Sequence, residues 1–375
     1  MNVLAYVHMR NIHGSTGAGR VARQLTEHVA RRTGVNVHIL ADQADHKAVV
    51  DKVGAPWTTF QYHLFLKDTS YQQARWLALH NPVAEKYWPE VDIVHCTGES
   101  YVPTSHCKLI VTAHDAAYFD PGAHPNNFAT MKQRLKWRFL YATLSRTADL
   151  FHTVSQFSAE RLGWAFPSIR SRLRVIHNAV PERFFEPAGP NGDAFLERTG
   201  LNNRRYILVP GGLHYRKNAD LVLQAWPVLS KRVPDVTLVV SGHCDPQYAA
   251  RAAALDKSIF FTGFVNDDEL CALYHDAQAV WFPSRYEGFG MPVLEAMTCG
   301  APVVASNSTS IPEIAGDAAL LVNPQSVDEN VQALETVVGN SRLQASLRER
   351  GRSQALKFRW SSSAAQLHEL YSSVM

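Results

Sequence analysis

Cysteine is scarce in this sequence. The 375 residues hold five, Cys96, Cys107, Cys244, Cys271 and Cys299, and no Cys-x-x-Cys pair occurs. An odd, dispersed set argues against a disulfide framework or a cysteine zinc site, and reduced thiols in a cytoplasmic enzyme fit better. Long apolar runs are also missing. None approaches the ~20 residues of a spanning helix, so any membrane contact is expected to be peripheral. Met1 to Arg10 lacks the basic lead-in and long apolar core of a signal peptide. Charge of one sign is missing too: Lys+Arg is 37, Asp+Glu is 34, and the net charge is +3. A nucleic-acid binder would carry a strongly basic face, so none is expected as a partner. The 17 histidines never fall in an H-E-x-x-H spacing, and neither G-x-S-x-G nor G-x-x-x-x-G-K-[ST] occurs. Hydrolase and P-loop chemistries therefore lack an anchor.

What is present is a regular alternation. Short β-branched runs recur at residues 3–7, 35–40, 92–95, 109–113, 150–154 and 174–177, then at 206–210, 236–241, 259–263, 279–283, 302–306 and 319–323. Helical stretches separate them. Apolar strands joined by helices imply right-handed βαβ units and parallel sheets buried on both faces. Two sets of about six imply an α/β protein of two Rossmann-like, doubly wound domains. The length and a 46% hydrophobic content suit two full cores. The Pro/Gly/Asn-rich run Glu186–Asp193 is the expected boundary. It gives an N-terminal domain at 1–186 and a C-terminal domain at 194–357. Ligands of open α/β sheets collect at the carboxyl ends of strands. The expected site is thus a cleft between the domains.

The densest chemical signal is Glu287-Gly288-Phe289-Gly290-Met291-Pro292-Val293-Leu294-Glu295. It follows the strand Ala279–Pro283. Pro292 suits the start of a helix, where the missing amide would be unpaired anyway. Free amides and the positive end of the helix dipole favour an anion there, and glycines allow close backbone approach. Glu287 before the helix and Glu295 on its first turn would bracket that anion. Carboxylates are poor phosphate ligands but good acceptors for sugar hydroxyls. A phosphate flanked by hydroxylated sugars describes a nucleotide-sugar.

This stretch, with Gly300-Ala301-Pro302-Val303-Val304-Ala305 after it, resembles the E-x7-E motif of retaining GT-B glycosyltransferases of family 4. The resemblance implies a GT-B fold and a nucleotide-sugar donor used as substrate, with no cofactor and no metal. It also implies roles for further residues. Gly211-Gly212-Leu213-His214-Tyr215-Arg216-Lys217-Asn218 resembles the pyrophosphate-binding turn, with Lys217 as its lysine. Gly212 stands where an arginine is common, and Arg216 lies beside Lys217 instead. Gly17 and Gly19 belong to a glycine-rich run, 14–20, between the first strand and a helix expected at Val21–His28. In the family such a loop faces the donor phosphates; by itself it also reads as a tight turn. His114, ending a strand, matches a histidine near the transferred sugar. The Phe264-Val265 loop is similar to the one beside the nucleobase. Asp267, Asp268 and Glu269 look like charges on a helix N-terminus rather than metal ligands. Glu287 would hold hydroxyls of the transferred sugar, Glu295 the ribose, and Gly288, Phe289, Gly290 and Met291 the donor backbone contacts. The segment 358–375 resembles the last helix that returns to the N-terminal domain.

The chain also resembles bacterial mannosyltransferases that use GDP-mannose for surface polysaccharides. That resemblance rests on His114-Asp115 with Pro121 and Pro125, and on Arg216-Lys217-Asn218. A UDP-sugar is the alternative donor. The acceptor is expected to be a glycan or a lipid-linked saccharide. The basic, aromatic segment 131–141 reads as a core helix with a solvated face, or as a peripheral contact with an anionic membrane surface. Two rival classes share the fold, sugar-nucleotide 2-epimerases and non-catalytic glycosyltransferase-like partners. A donor-only assay separates the first, and the motif glutamates and lysine argue against the second.

Overall fold

The computed structural model describes residues 1–13, 17–256 and 258–375. The chain divides into two compact units. The first holds Met1–Asp120, Asn127–Asn178 and Trp360–Met375, and the second holds Pro121–Asn126 and Ala179–Arg359. The division at Asn178/Ala179 precedes the expected boundary. The Pro/Gly-rich run 186–193 lies within the second unit, because Pro190 opens the helix Pro190–Thr199 there.

The first unit carries a parallel sheet of seven strands: β1 (Asn2–Tyr6), β2 (Asn36–Asp42), β3 (Gln61–Phe65), β4 (Ile93–Cys96), β5 (Lys108–Ala113), β6 (Leu150–Thr153) and β7 (Leu173–Val175). Their order is β3-β2-β1-β4-β5-β6-β7. Six of them match the β-branched runs. The seventh, β3, is an edge strand with half-buried polar positions, so it lacks the apolar run that marks a central parallel strand. The helix after β1 begins at Gly17, not Val21, and runs to Ala30. Val21, Leu25 and Val29, one turn apart, form its buried stripe. The helix Trp360–Ser372 packs beside it, burying Trp360, Leu367, Leu370 and Tyr371.

A neutral polar chain ties that last helix to the sheet. His95 Nδ1 meets the Tyr371 hydroxyl at 2.7 Å, and its Nε2 meets Thr112 Oγ1 at 2.8 Å. Thr112 Oγ1 meets His152 Nδ1 at 3.1 Å, and His152 Nε2 bonds the Ile176 carbonyl at 2.9 Å. Burial pushes His95 down to about 3 and His152 to about 4, so both rings are neutral near pH 7.

The second unit carries six parallel strands: β8 (Arg205–Pro210), β9 (Val236–Ser241), β10 (Ile259–Gly263), β11 (Ala279–Phe282), β12 (Val303–Ser306) and β13 (Leu320–Val322). Five of them lie within the runs read from the sequence, and β8 starts one residue before its run, at Arg205. Their order is β10-β9-β8-β11-β12-β13. The order reverses between β8 and β11 here, and between β1 and β4 in the first unit. Those reversals open crevices at the carboxyl ends of the strands, where ligands of such sheets bind. Each core is closed by large side chains, Trp226 and Trp281 in the second unit and Trp76 and Tyr141 in the first. Among the described residues no helix is long and apolar enough to cross a membrane.

Candidate active site

The second unit brings its motifs together at the β8/β11 reversal. Gly211 and Gly212 follow β8 with φ of 87° and 79°. A side chain at Gly212 is impossible without rearrangement, since a Cβ there would stand 1.6 Å from the His243 carbonyl oxygen. This close approach accounts for glycine where the resemblance led us to look for arginine. A short helical turn, Tyr215–Lys217, follows, and Asn218 takes a left-handed φ of 60° before the helix Ala219–Arg232. The Asn218 amide donates to the Pro283 carbonyl at 3.0 Å and to the Pro324 carbonyl at 2.7 Å. One side chain thus ties the ends of β8, β11 and β13. The Arg285 amide also donates to the Arg216 carbonyl at 2.8 Å.

These anchors place Lys217 against Glu287. Nζ lies 2.7 Å from Oε1, and 4.2 Å from the centre of the Phe282 ring. Burial is the largest influence on both groups and drives each toward its neutral form. It carries Lys217 below the ordinary lysine value. At Glu287 the attraction of Lys217 and Arg216 outweighs burial and holds the carboxyl below its usual range, so it stays ionised. Burial, with Lys217 next to it, also holds His214 below its ordinary value.

The Glu287 loop is fixed from below. Ser310 Oγ donates to the carbonyls of Glu287 (3.0 Å) and Phe289 (2.9 Å), and the Glu287 amide donates to Thr309 Oγ1 (3.3 Å). Gly290 has φ 105°, and a Cβ there would stand 2.5 Å from Ile311 Cδ1. Gly288 precedes Phe289, whose ring packs edge-on against Phe358. The helix Met291–Thr298 then starts one residue before Pro292. Glu295 is therefore on its second turn, not its first. It is buried, and the Tyr274 hydroxyl donates to its Oε2 at 3.3 Å.

The outer loops join this arrangement through backbone. The Gly242 amide, after β9, donates to the Gly263 carbonyl at 2.8 Å. Beyond it Phe264 is 71% exposed and Val265 is buried. Asn266 and Glu269 form a reciprocal cap on the helix Asp267–Asp276, and Asp268 pairs with Arg183. The three acids are thus helix-end charges. Gly242, His243, Thr309 and Ser310 escaped the sequence reading. Gly242 directly after an apolar strand was the one available signal among them.

The remaining candidates sit in the first unit. Gly17 and Gly19 lie in the first turn of the helix Gly17–Ala30, not in a loop, while Gly14, Ser15 and Thr16 lie outside the described residues. His114 follows β5. Its amide donates to Glu99 Oε1 at 2.6 Å, and its Nε2 is 3.1 Å from the Thr97 carbonyl. Gly19, Glu99 and His114 border a cavity of about 910 Å³ at the β1/β4 reversal. Glu99 carried no sequence signal of its own.

Comparison with known proteins agrees with this fold. The profile described as Glycosyltransferase Family 4 matches residues 15–184, and that of Glycosyl transferases group 1 matches 193–354. The chain is 31% identical over 294 residues to O-antigen chain mannosyltransferase B of Escherichia coli, covering 75% of this chain and 74% of that one. It is 29% identical over 246 residues to the GDP-mannose-dependent alpha-(1-6)-phosphatidylinositol monomannoside mannosyltransferase of Mycolicibacterium smegmatis, covering 61% of this chain and 63% of that one. The crystal structure of Anabaena Alr3699/HepE in complex with UDP and glucose matches all of both chains, with a TM-score of 0.73 at 18% identity. Two parallel-sheet α/β units of this kind are the GT-B fold of glycosyltransferases. The chain belongs to glycosyltransferase family 4 and is an enzyme, a glycosyltransferase.

Proposed function

We propose that the protein transfers mannose from GDP-mannose to a saccharide acceptor, a glycan or a lipid-linked saccharide, in surface-polysaccharide synthesis, with retention of configuration. The observation that carries the donor half of this reading is the buried Lys217–Glu287 pair at the β8/β11 reversal, with Arg216 alongside. A buried cation held by a single carboxylate is ready to be shared with an arriving diphosphate. Negative charge grows on that diphosphate as the glycosidic bond breaks, and fixed cations stabilise it most in the transition state. Lys217 and Arg216 serve that role, so no metal is required. Glu287 then holds hydroxyls of the transferred sugar, and Glu295 the ribose. The backbone of Gly212, Gly288–Met291 and Phe264–Val265 lines the donor; for Gly17, Gly19 and His114 a donor role is supported by the family resemblance alone. The acceptor oxygen attacks the anomeric carbon on the face that the leaving group departs, and the leaving phosphate takes the acceptor proton.

GDP-mannose as donor is supported by the mannosyltransferase relatives, of which the Mycolicibacterium smegmatis enzyme is GDP-mannose-dependent. Activity at the cytoplasmic face of a membrane, with residues 131–141 in peripheral contact, belongs to the same reading. A thermal-shift panel of GDP, UDP, ADP and their sugars tests the donor, since a ligand of the native state raises apparent stability. A shift with GDP-mannose is expected. A shift with UDP-sugars and none with GDP-mannose overturns this donor.

A further inference from the structure

Two thiols meet where the motif helix ends. Cys271 lies in the helix Asp267–Asp276, and Cys299 directly follows the helix Met291–Thr298. Their sulfurs are 3.3 Å apart, with the Cys299 thiol donating to Cys271 Sγ. Cys96, Cys107 and Cys244 meet no other cysteine among the described residues. Both sulfurs of the pair also face the segment that enters this unit. Cys299 Sγ lies 3.7 Å from the Phe184 carbonyl, and Cys271 Sγ lies 3.7 Å from the Glu186 carbonyl. The two thiols are chemically unlike. The hydrogen bond from Cys299 outweighs burial and holds the Cys271 thiol below its ordinary range, and Arg183 acts in the same direction. The same hydrogen bond and burial push the Cys299 thiol up. Cys271 is thus the better nucleophile, and Cys299 keeps its proton.

The pair sits one turn from Glu295 on both helices. Tyr274, three residues after Cys271, shares its helix face, and the Tyr274 hydroxyl donates to Glu295 Oε2 at 3.3 Å. Glu295 is four residues before Cys299, and its carbonyl accepts from the Cys299 amide at 3.0 Å. The thiol pair and the Tyr274–Glu295 pair are therefore adjacent rungs between the same two helices. Both rungs are buried, with Cys271 2% and Cys299 6% exposed. In a close-packed interior a change at one rung is transmitted to the next.

We propose that Cys271 and Cys299 are a modification site, a dithiol that a peroxide converts to a disulfide. The Cys271 sulfur attacks one peroxide oxygen. The S–O bond forms, the O–O bond breaks, and the departing hydroxide leaves as water with the proton lost by Cys271. Cys299 then attacks the Cys271 sulfur. The S–S bond forms, the S–O bond breaks, and the second hydroxide leaves as water with the Cys299 proton. Two thiols are oxidised and one peroxide is reduced, with no other reactant. A peroxide is small enough for a pair with so little exposed surface, where a bulky disulfide reagent is not. Closure draws the sulfurs from 3.3 Å to about 2.0 Å and removes both S–H donors from the Phe184 and Glu186 carbonyls. It therefore shifts the helix that carries Glu295. The consequence for nucleotide rests on the ribose role given to Glu295 above: the oxidised protein binds GDP more weakly.

The test treats the full chain with hydrogen peroxide, alkylates the remaining thiols in denaturant, and maps the peptides by mass spectrometry. GDP binding is measured by calorimetry before oxidation, after it, and after dithiothreitol. A Cys271–Cys299 linkage is expected, with Cys96 and Cys107 alkylated and full reversal by dithiothreitol. GDP affinity should fall roughly 10-fold, the scale of a disturbed hydrogen bond to a charged group, and recover on reduction. Cys299→Ser should form no linkage and keep one GDP affinity throughout. If that variant does not fold, reversal by dithiothreitol in the wild type still separates the disulfide from irreversible sulfur oxidation. The proposal is overturned if Cys271 and Cys299 both remain open to alkylation after peroxide, or if either is linked to a different cysteine. Linked protein that binds GDP as tightly as the reduced protein overturns the coupling to Glu295. Failure of the reduced wild type to bind GDP would instead count against the donor assignment, while the peptide map still decides the sulfur chemistry.

Discussion

The two units use the same sheet architecture but bury polarity differently. At its strand reversal the second unit buries an ionised pair, Lys217 and Glu287, and clamps the surrounding loops with backbone hydrogen bonds and side-chain-free glycines. The first unit buries neutral groups, the His95–Thr112–His152 chain, and leaves a large half-apolar cavity at its reversal. A crevice furnished with fixed cations suits a ligand that brings negative charge of its own. The lining of the first unit's cavity mixes polar groups such as Glu99 and His114 with Leu77, Leu135 and Phe139 and with the cations Lys132 and Lys136. Two copies of one fold thus carry chemically different crevices at their strand reversals.

The most severe way to break this contrast is Gly212→Ala. The added Cβ collides with the His243 carbonyl and sits at a φ that alanine avoids. The expected loss is more than about 3 kcal/mol of stability, in the range of backbone and overpacking defects. Chemical denaturation checks it. An alanine variant of wild-type stability would mean that the clamp on the phosphate turn is dispensable.

Lys217→Ala should come next. Turnover should fall roughly 10²-fold or more, the scale of lost charge stabilisation in a transition state. Stability should fall too, since Glu287 is left as a buried unpaired charge. Arg216→Ala should cost less, because it leaves the Lys217–Glu287 pair intact. Steady-state kinetics with donor in excess separates the two variants. Equal rates in both variants and the wild type would misplace the phosphate turn.

The first unit gives the smallest effect. Tyr371→Phe removes the hydroxyl that meets His95, and should cost about 1–2 kcal/mol. The pH dependence has a definite sign. His95 and His152 have folded values depressed below the unfolded histidine value of about 6.5. Unfolding therefore takes up protons in acid. The contribution of the network is complete above about pH 6.5 and is lost as pH falls toward about 4 and 3. Urea unfolding at pH 5 and pH 7.5 should show the decline, and replacing both histidines should flatten it.

The same contrast explains what the sequence made legible. In the second unit the strands are continuous apolar runs, and the site is made from glycines, a lysine and two glutamates at fixed offsets from strand ends. Local spacing therefore announces both. Even there, the start of the helix at Met291 put Glu295 one position further along the helix than expected, because a proline fits either of the first helical positions. Ser310 and Asn218 act through hydrogen bonds to residues far along the chain, which no local pattern records. In the first unit β3 hides because an edge strand needs no apolar run. Glu99 hides because its hydrogen-bond partner, the His114 amide, is 15 residues away. The helix Phe128–Thr147, with Met131, Leu135 and Phe139 exposed, showed only as an aromatic, basic segment. Which of its residues the core takes was a tertiary matter.

The central claim is that the second unit is a metal-independent nucleoside-diphosphate site built around Lys217 and the two motif glutamates. Calorimetric titration of GDP into the full chain in EDTA tests it most directly, on the wild type, Glu287→Ala and Glu295→Ala. The account predicts saturable binding to the wild type, nearly unchanged affinity in Glu287→Ala, and affinity weakened roughly 10-fold or more in Glu295→Ala, where the ribose loses a charged acceptor. Absence of GDP binding until a divalent metal is restored, or equal losses in the two variants, would contradict it.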